Sequence, residues 1–165
     1  MPEDWATAEL LGTYEPKVTS KSSLPGAKTL AIDGTGDSAL VGGANGTAGV
    51  YSISQNKMVQ SLGGEDGAVT DCLWWNNRAV IATATGKVKI FEGADELVSF
   101  NSHAGAATAV ALHPCGEMLA SVGEDKSYVY YDLSSYKAIT QVYTDSGKQP
   151  QDHVRAGLWR RLTSR

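Results

Sequence analysis

The chain has 165 residues, enough for one domain with a modest core, with 42% hydrophobic residues, 18 glycines and a formal net charge of −4. No run approaches the roughly 18 consecutive apolar residues that span a bilayer, so no membrane role is expected. Met1-Pro2-Glu3-Asp4-Trp5 lacks the basic and then apolar order of a secretory signal. The charge is divided: residues 1–145 carry 9 basic and 17 acidic groups, whereas 146–165 carry Lys148, Arg155, Arg160, Arg161 and Arg165 against Asp152. An acidic body argues against direct binding of nucleic acid through its phosphates. Cys72 and Cys115 lie 43 residues apart without a CxxC pair, and free buried thiols in a reducing compartment are expected. Asn45-Gly46-Thr47 matches a glycosylation sequon and is read as a turn.

In chain order, residues 1–17 read as a lead-in bounded by Pro2 and Pro16, and Val18-Thr19-Ser20 as one lone strand. After Pro25-Gly26 a first unit, about 27–62, begins with Thr29 to Ile32, then the turn Asp33-Gly34-Thr35-Gly36-Asp37. Ala39 to Gly43, an Asn45-Gly46 hairpin signal, Ala48 to Ile53 and Met58 to Leu62 complete it. A second unit, about 68–100, repeats the plan: Val69 to Trp75, Asn76-Asn77, Ala79 to Ala84, Thr85-Gly86, Val88 to Phe91, Leu97 to Phe100. The third, about 106–143, runs Thr108 to Leu112, His113-Pro114-Cys115-Gly116, Met118 to Val122, Asp125-Lys126, Tyr128 to Leu133 and Ala138 to Tyr143. Four short strands per unit with regular turn signals and no helical period is an all-β pattern.

Tyr51-Ser52, Phe91-Glu92 and Tyr131-Asp132 close the third strand of each unit at a spacing of 40 residues. A period of about 40–45 residues, with an aromatic and usually an acidic residue ending a strand, is the signature of WD-type propeller blades. The expected fold is therefore all-β, a partial WD40 β-propeller of about three four-stranded blades. Such a scaffold works through partners, and the reading starts from protein binding.

His103, Ser121, Asp125 and Tyr131 of the third unit stand where WD repeats place a structural hydrogen-bonded tetrad, with tyrosine in the place of tryptophan. The counterparts read from the sequence are Val41 and Thr83 for Ser121, Asn45 and Thr85 for Asp125, and Glu65 for His103. A constellation that degrades between units suggests structure, with units one and two the less rigid. A hydrolase using Ser121, His103 and Asp125 is not expected, because Ser121 lies inside a strand without a G-x-S-x-G elbow. Phosphate-loop and dinucleotide motifs are absent, and His103, His113 and His153 show no metal-ligand spacing. No catalytic, cofactor-binding or metal residue is assigned, and no cofactor is expected. Trp74-Trp75 reads as one ring in the core and one at a blade interface, with a partner hot spot as the alternative.

Pro2-Glu3-Asp4-Trp5 through Glu9-Leu10-Leu11, Tyr14, Ser23-Leu24-Pro25-Gly26-Ala27, Leu40-Val41-Gly42-Gly43-Ala44-Asn45, and His103-Ala104-Gly105-Ala106-Ala107-Thr108 through Leu112-His113-Pro114-Cys115-Gly116-Glu117 carry a resemblance. Over residues 2–145 the chain resembles the lead-in and first three blades of the pre-mRNA-processing factor 19 family of U-box and WD-repeat splicing factors. That resemblance implies a propeller of an expected seven blades, within the range of about 4–8 that close a ring. It implies a nuclear scaffold in the NineTeen complex, with spliceosomal proteins as partners. Family members are also E3 ubiquitin ligases through a U-box, and homotetramers through a coiled coil; neither segment is recognisable here, so no catalytic residue carries over. A generic WD adaptor or ubiquitin-ligase substrate receptor outside splicing is the competing reading.

At Ser146 the repeat gives way to a basic segment through Arg165, which predicts a truncated gene product whose transcript resumes a fourth blade. The rival reading places Val154, Leu158, Trp159 and Leu162 on one face of a short partner- or membrane-binding helix. Three blades would leave a bare inter-blade face at each end, so the isolated chain is expected to be poorly soluble or oligomeric. Val18-Thr19-Ser20 is expected to belong to the outer edge of a final blade.

Overall fold

The computed structural model of the chain describes residues 24–64 and 66–144. The lead-in 1–17, the strand at Val18-Thr19-Ser20, Glu65 and the tail 146–165 lie outside the described residues. Every regular element among the described residues is a strand. Sheet 1 holds β1 (Thr29–Ile32), β2 (Ser38–Gly42), β3 (Thr47–Ser52) and β4 (Lys57–Gly63). Sheet 2 holds β5 (Val69–Trp75), β6 (Arg78–Thr83), β7 (Lys87–Glu92) and β8 (Asp95–Asn101); sheet 3 holds β9 (Ala107–Leu112), β10 (Met118–Gly123), β11 (Ser127–Asp132) and β12 (Lys137–Tyr143). Each sheet is an antiparallel meander in chain order.

The sheets stack in sequence, β1 and β2 against β5, then β5 and β6 against β9. Period-2 alternation explains the two cores that result. Leu40, Ala48, Val50 and Leu62 of sheet 1 meet Val69, Cys72, Ala79, Ile81 and Phe91 of sheet 2. The opposite face of sheet 2, with Val80, Ala82, Val88, Ile90 and Phe100, meets Ala107, Val110, Leu119, Val129 and Tyr131 of sheet 3. Sheet 2 is thus covered on both faces, and β6 reads as a continuous apolar run because both of its faces are buried. Each fully buried Leu, Ile or Val contributes about 1.5–3 kcal/mol over exposure. Close approach is built in at Gly42, where a Cβ would sit 2.5 Å from Val69 Cγ1 and 2.6 Å from Thr29 Cγ2.

One irregularity recurs with the repeat. The register of the third against the fourth strand slips between Val50 and Tyr51, between Ile90 and Phe91, and between Tyr130 and Tyr131. The extra residue in each bulge is Val59, Leu97 or Ile139, and all three are exposed. A bulge leaves one residue unpaired and bends its strand, which explains apolar side chains directed outward on β4, β8 and β12.

Three expectations are corrected. Cys72 is a buried thiol outside any disulfide, but Cys115, also outside any disulfide, is exposed, because it sits in the β9–β10 turn where His113 Nδ1 accepts its backbone N–H at 3.1 Å. Trp74 and Trp75 do point to opposite faces, yet both lie at sheet junctions. Trp74 Nε1 donates to Ala31 O of sheet 1 (3.2 Å), and Trp75 Nε1 to Gly116 O of sheet 3 (2.7 Å). The counterpart of Ser121 in sheet 2 is Ile81 and not Thr83: Ser121 pairs with Val129 as Ile81 pairs with Lys89 and Val41 with Gly49.

Candidate functional site

β10 carries Ser121 on the face turned to sheet 2, β11 carries Tyr131 beside it, and the β10–β11 turn supplies Asp125. His103 enters from the segment between β8 and β9, anchored by its N–H to Gly86 O at 3.2 Å. The structure brings these four side chains together. His103 Nδ1 lies 3.1 Å from Asp125 Oδ1, and Nε2 lies 2.7 Å from Ser121 Oγ. Facing a carboxylate, Nδ1 carries the hydrogen; Ser121 then donates to Nε2, and the Tyr131 hydroxyl donates to Ser121 Oγ at 2.8 Å.

Two further residues, not singled out in the sequence, complete the chain. Ser127 Oγ donates to Asp125 Oδ1 (2.8 Å) and lies 3.0 Å from His103 Nδ1. Gln141 Nε2 donates to Ser127 Oγ and to Ser102 O, each at 3.0 Å, which ties in β12. The signal for Ser127 was its place two residues after Asp125 in a turn, where a short hydroxyl closes on the carboxylate. Burial works against the Asp125 carboxylate, but hydrogen bonds from Ser127, the Ala104 N–H and His103 outweigh it and hold the pKa below the usual value of 3.8. A depressed carboxylate contributes stability that is present above its unfolded pKa and lost as pH falls through the lower folded one. We predict that Asp125→Asn flattens the loss of stability below about pH 4 in urea titrations, and that an unchanged acid limb would refute this assignment.

As chemistry, Ser121-His103-Asp125 has the connectivity of an acyl-transfer triad, but Ser121 is 0% exposed. No substrate reaches its hydroxyl, and the Tyr131 donor already occupies its oxygen. Among the described residues no group of His, Cys, Asp and Glu is placed to hold a metal ion.

Sheets 1 and 2 solve the same positions differently. Ile81 and Phe91 stand in sheet 2 where Ser121 and Tyr131 stand in sheet 3, so the polar chain is replaced by apolar packing. Lys89, in the place of Val129, sends its ammonium to Asp66 and Glu96 (2.8 Å to Glu96), while Lys87 also pairs with Asp66. Burial disfavours the Lys89 charge, but the Asp66 and Glu96 hydrogen bonds outweigh it and raise its pKa. Asp132 caps the turn after β11 by accepting from Ser134 N–H and Oγ and from Ser135 Oγ, which holds its pKa at about 2. Ser52 takes the Gln55 N–H at the same turn of sheet 1. The acidic half of the Tyr131-Asp132 pair is therefore a turn cap, whereas Glu92 of the Phe91-Glu92 pair instead meets Arg78 at 2.8 Å.

The inner strands hold a further buried carboxylate that the sequence reading passed over. Asp71 on β5 accepts the Val110 N–H of β9 (3.1 Å), the Thr29 hydroxyl of β1 (3.3 Å) and the Cys72 N–H (3.0 Å). One side chain thereby links all three sheets. Its signal was an aspartate inside the apolar run Val69 to Trp75. Asp71→Ala is expected to cost about 1–3 kcal/mol by leaving the Val110 N–H unpaired, while the Thr29 hydroxyl keeps its contact with Cys72 Sγ at 3.6 Å; a shift under half a kcal/mol in urea unfolding would remove the bridging role.

The fold defines a class: a WD40-like β-propeller, present as three blades of an open partial ring. A family model for the WD domain, G-beta repeat, matches residues 94–132, a span that contains His103, Ser121, Asp125 and Tyr131 and joins β8 of sheet 2 to β9–β11 of sheet 3. Among curated proteins the chain is similar to "Pre-mRNA-processing factor 19 homolog 2" of Arabidopsis thaliana, 26% identical over 76% of this chain and 25% of that protein. It is also similar to "Pre-mRNA-processing factor 19" of Caenorhabditis elegans (23% identical, 88% of this chain, 30% of that protein) and of Oryza sativa subsp. japonica (22%, 78% and 26%). The chain thus spans between a quarter and a third of the length of these relatives. A chain in a "Crystal Structure of Mitotic Checkpoint Complex" matches with a TM-score of 0.66 at 17% identity, over 70% of this chain and 36% of that one, which shows the shared fold.

Proposed function

We propose that this chain is a WD-repeat protein-interaction scaffold acting in pre-mRNA splicing, in the nucleus, with spliceosomal proteins as partners. The observation that carries the scaffold reading is the sealed serine: the Ser121-His103-Asp125 arrangement is closed to solvent, and its hydrogen bonds hold a blade together. We assign His103, Ser121, Asp125 and Tyr131 to that structural role. Support for the splicing setting comes from the names of the three similar proteins and from the resemblance of the lead-in and blades. The test is recovery of partners: the tagged chain is captured from nuclear extract and its partners are identified by mass spectrometry. Enrichment of spliceosomal proteins is the expected result. Enrichment of cullin or signalling subunits instead would transfer the chain to the adaptor class.

A further inference from the structure

The joint between sheets 1 and 2 and the joint between sheets 2 and 3 share one plan. The connection into each following sheet crosses a turn glycine of the sheet before it. A Cβ on Gly46 would lie 2.6 Å from Gly67 O, and one on Gly86 would lie 2.2 Å from His103 O. Each connection then reaches forward into its own sheet. At the second joint it does so with the His103 imidazole, which enters a closed hydrogen-bonded chain. At the first joint it does so with a carboxylate. Asp66 stands three residues before Val69, as Ala104 stands three before Ala107, and takes the ammonium groups of Lys87 and Lys89 on β7. The Thr85 hydroxyl donates to Asp66 O at 2.8 Å and fixes where that carboxylate sits.

Lys89 pairs with Ile81 across the strands and stands two residues from Phe91, and both of those side chains pack on sheet 1. Strand alternation therefore directs Lys89 into the core between sheets 1 and 2, where its side chain is 10% exposed. Sheet 1 contributes Leu40, Ala48, Val50 and Leu62 to that core, none of them titratable. The counterions come from Asp66 in the connection and from Glu96 on β8, at 2.8 Å. Lys87, the remaining charge of the cluster, is about a third exposed and keeps access to water. Val129 fills the place of Lys89 in sheet 3, so packing of one blade on another does not require a cation there. Removing the partners of a buried charge is strongly unfavourable, whereas replacing the whole pair by an apolar group is often neutral. Closure of the first joint is thus conditional on charge.

We propose that Lys89 is a charge lock on the joint between sheets 1 and 2. With Asp66 and Glu96 ionised, the two sheets stay closed on each other. With both neutral, the stranded ammonium draws water into the core and sheet 1 swings away from sheets 2 and 3, which remain joined. Opening uncovers Cys72, whose Sγ lies 3.5 Å from Leu40 O across the closed joint. The device is local to this joint and holds whatever other segments of the protein adjoin it. It goes beyond the splicing reading and does not depend on it.

The test is the rate at which a maleimide labels Cys72 in the full chain, read by peptide mass spectrometry apart from the exposed Cys115. Amide exchange at Ser121 and Val129 reports the second joint in the same samples. Asp66→Asn/Glu96→Gln is expected to label Cys72 about a hundredfold faster than wild type, with exchange at Ser121 and Val129 unchanged. Lys89→Met alone is expected to label no faster than wild type. Added to the Asp66/Glu96 variant, it is expected to restore slow labelling, because no ammonium is left stranded. Wild-type labelling in the Asp66/Glu96 variant overturns the proposal. Fast labelling that Lys89→Met does not reverse also overturns it, since the carboxylates would then act by shape and not as counterions. Faster exchange at Ser121 and Val129 alongside would mean that the whole chain unfolds and no joint opens, a third overturning result. If the Asp66/Glu96 variant does not fold, folding of the triple variant with Lys89→Met supports the lock, and failure of both overturns it.

Discussion

His103→Ala is expected to lower stability by about 4 kcal/mol, with the urea midpoint falling at unchanged slope. The imidazole joins three elements: the linker before β9, the β10–β11 turn and β10 itself. Without it the Ser121 hydroxyl has no acceptor at Nε2, and Asp125 loses a donor from a site where burial already opposes its charge. Each unpaired buried group costs about 1–3 kcal/mol, more when charged. A void adds to this, because the ring packs closely on the backbone: a Cβ on Gly123 would lie 2.4 Å from His103 Nδ1. Ser121 is fully buried, so water does not replace the lost partner. A double-mutant cycle sharpens the result. His103→Ala combined with Ser121→Ala should cost about 1–2 kcal/mol less than the sum of the single changes, since the second removes the group that the first left stranded. Strict additivity would mean that the four residues are neighbours without being an energetic unit.

Gly86→Ala, a change of one methyl group, is expected to cost about 3 kcal/mol. Gly86 has φ +84°, and a Cβ there would lie 2.2 Å from His103 O and 2.5 Å from Gly105 O. Both obstacles are backbone, so neither yields by a rotamer change. Lys126 provides the internal control. It occupies the same turn position of sheet 3 with φ 61°, showing that the left-handed conformation alone is bearable for an L residue. What distinguishes Gly86 is the strand connection crossing it, whose His103 N–H donates to Gly86 O. Pushing that connection away would also pull His103 from Asp125 and Ser121. Amide exchange at Ser121 and Tyr131 should accelerate in the variant together with the fall in urea midpoint. Retention of slow exchange there would show that the turn and the polar chain are uncoupled.

Much of the architecture was legible because its determinants are local and recur. Alternation over four to seven residues marked each strand, Gly and Asn marked the turns, and the 40-residue return of the aromatic marked the unit. The four polar residues of the third sheet were legible for the same reason, each standing at a fixed distance from a turn. Register within the second sheet was harder to read. A hydroxyl, Thr83, was available near the place of Ser121, and only the pairing of Ile81 with Lys89 shows that an apolar residue fills it. Gln141 escaped notice because its partners Ser102 and Ser127 lie 39 and 14 residues away, and for Ser127 the contact with His103 spans 24 residues although Asp125 is only two away. The exposure of Cys115 depended on where a turn sits relative to its sheet, which composition does not encode.

By itself, then, the sequence determined the strand type, the repeat length and the sheet count, since hydrogen-bonded meanders arise from neighbours along the chain. The tertiary structure decided which sheet face meets which. It sent Trp74 and Trp75 to different neighbours, made Asp71 a clasp among three sheets and sealed Ser121 from solvent. Those outcomes depend on stacking between segments about 40 residues apart, where close packing allows few arrangements and no local preference selects among them.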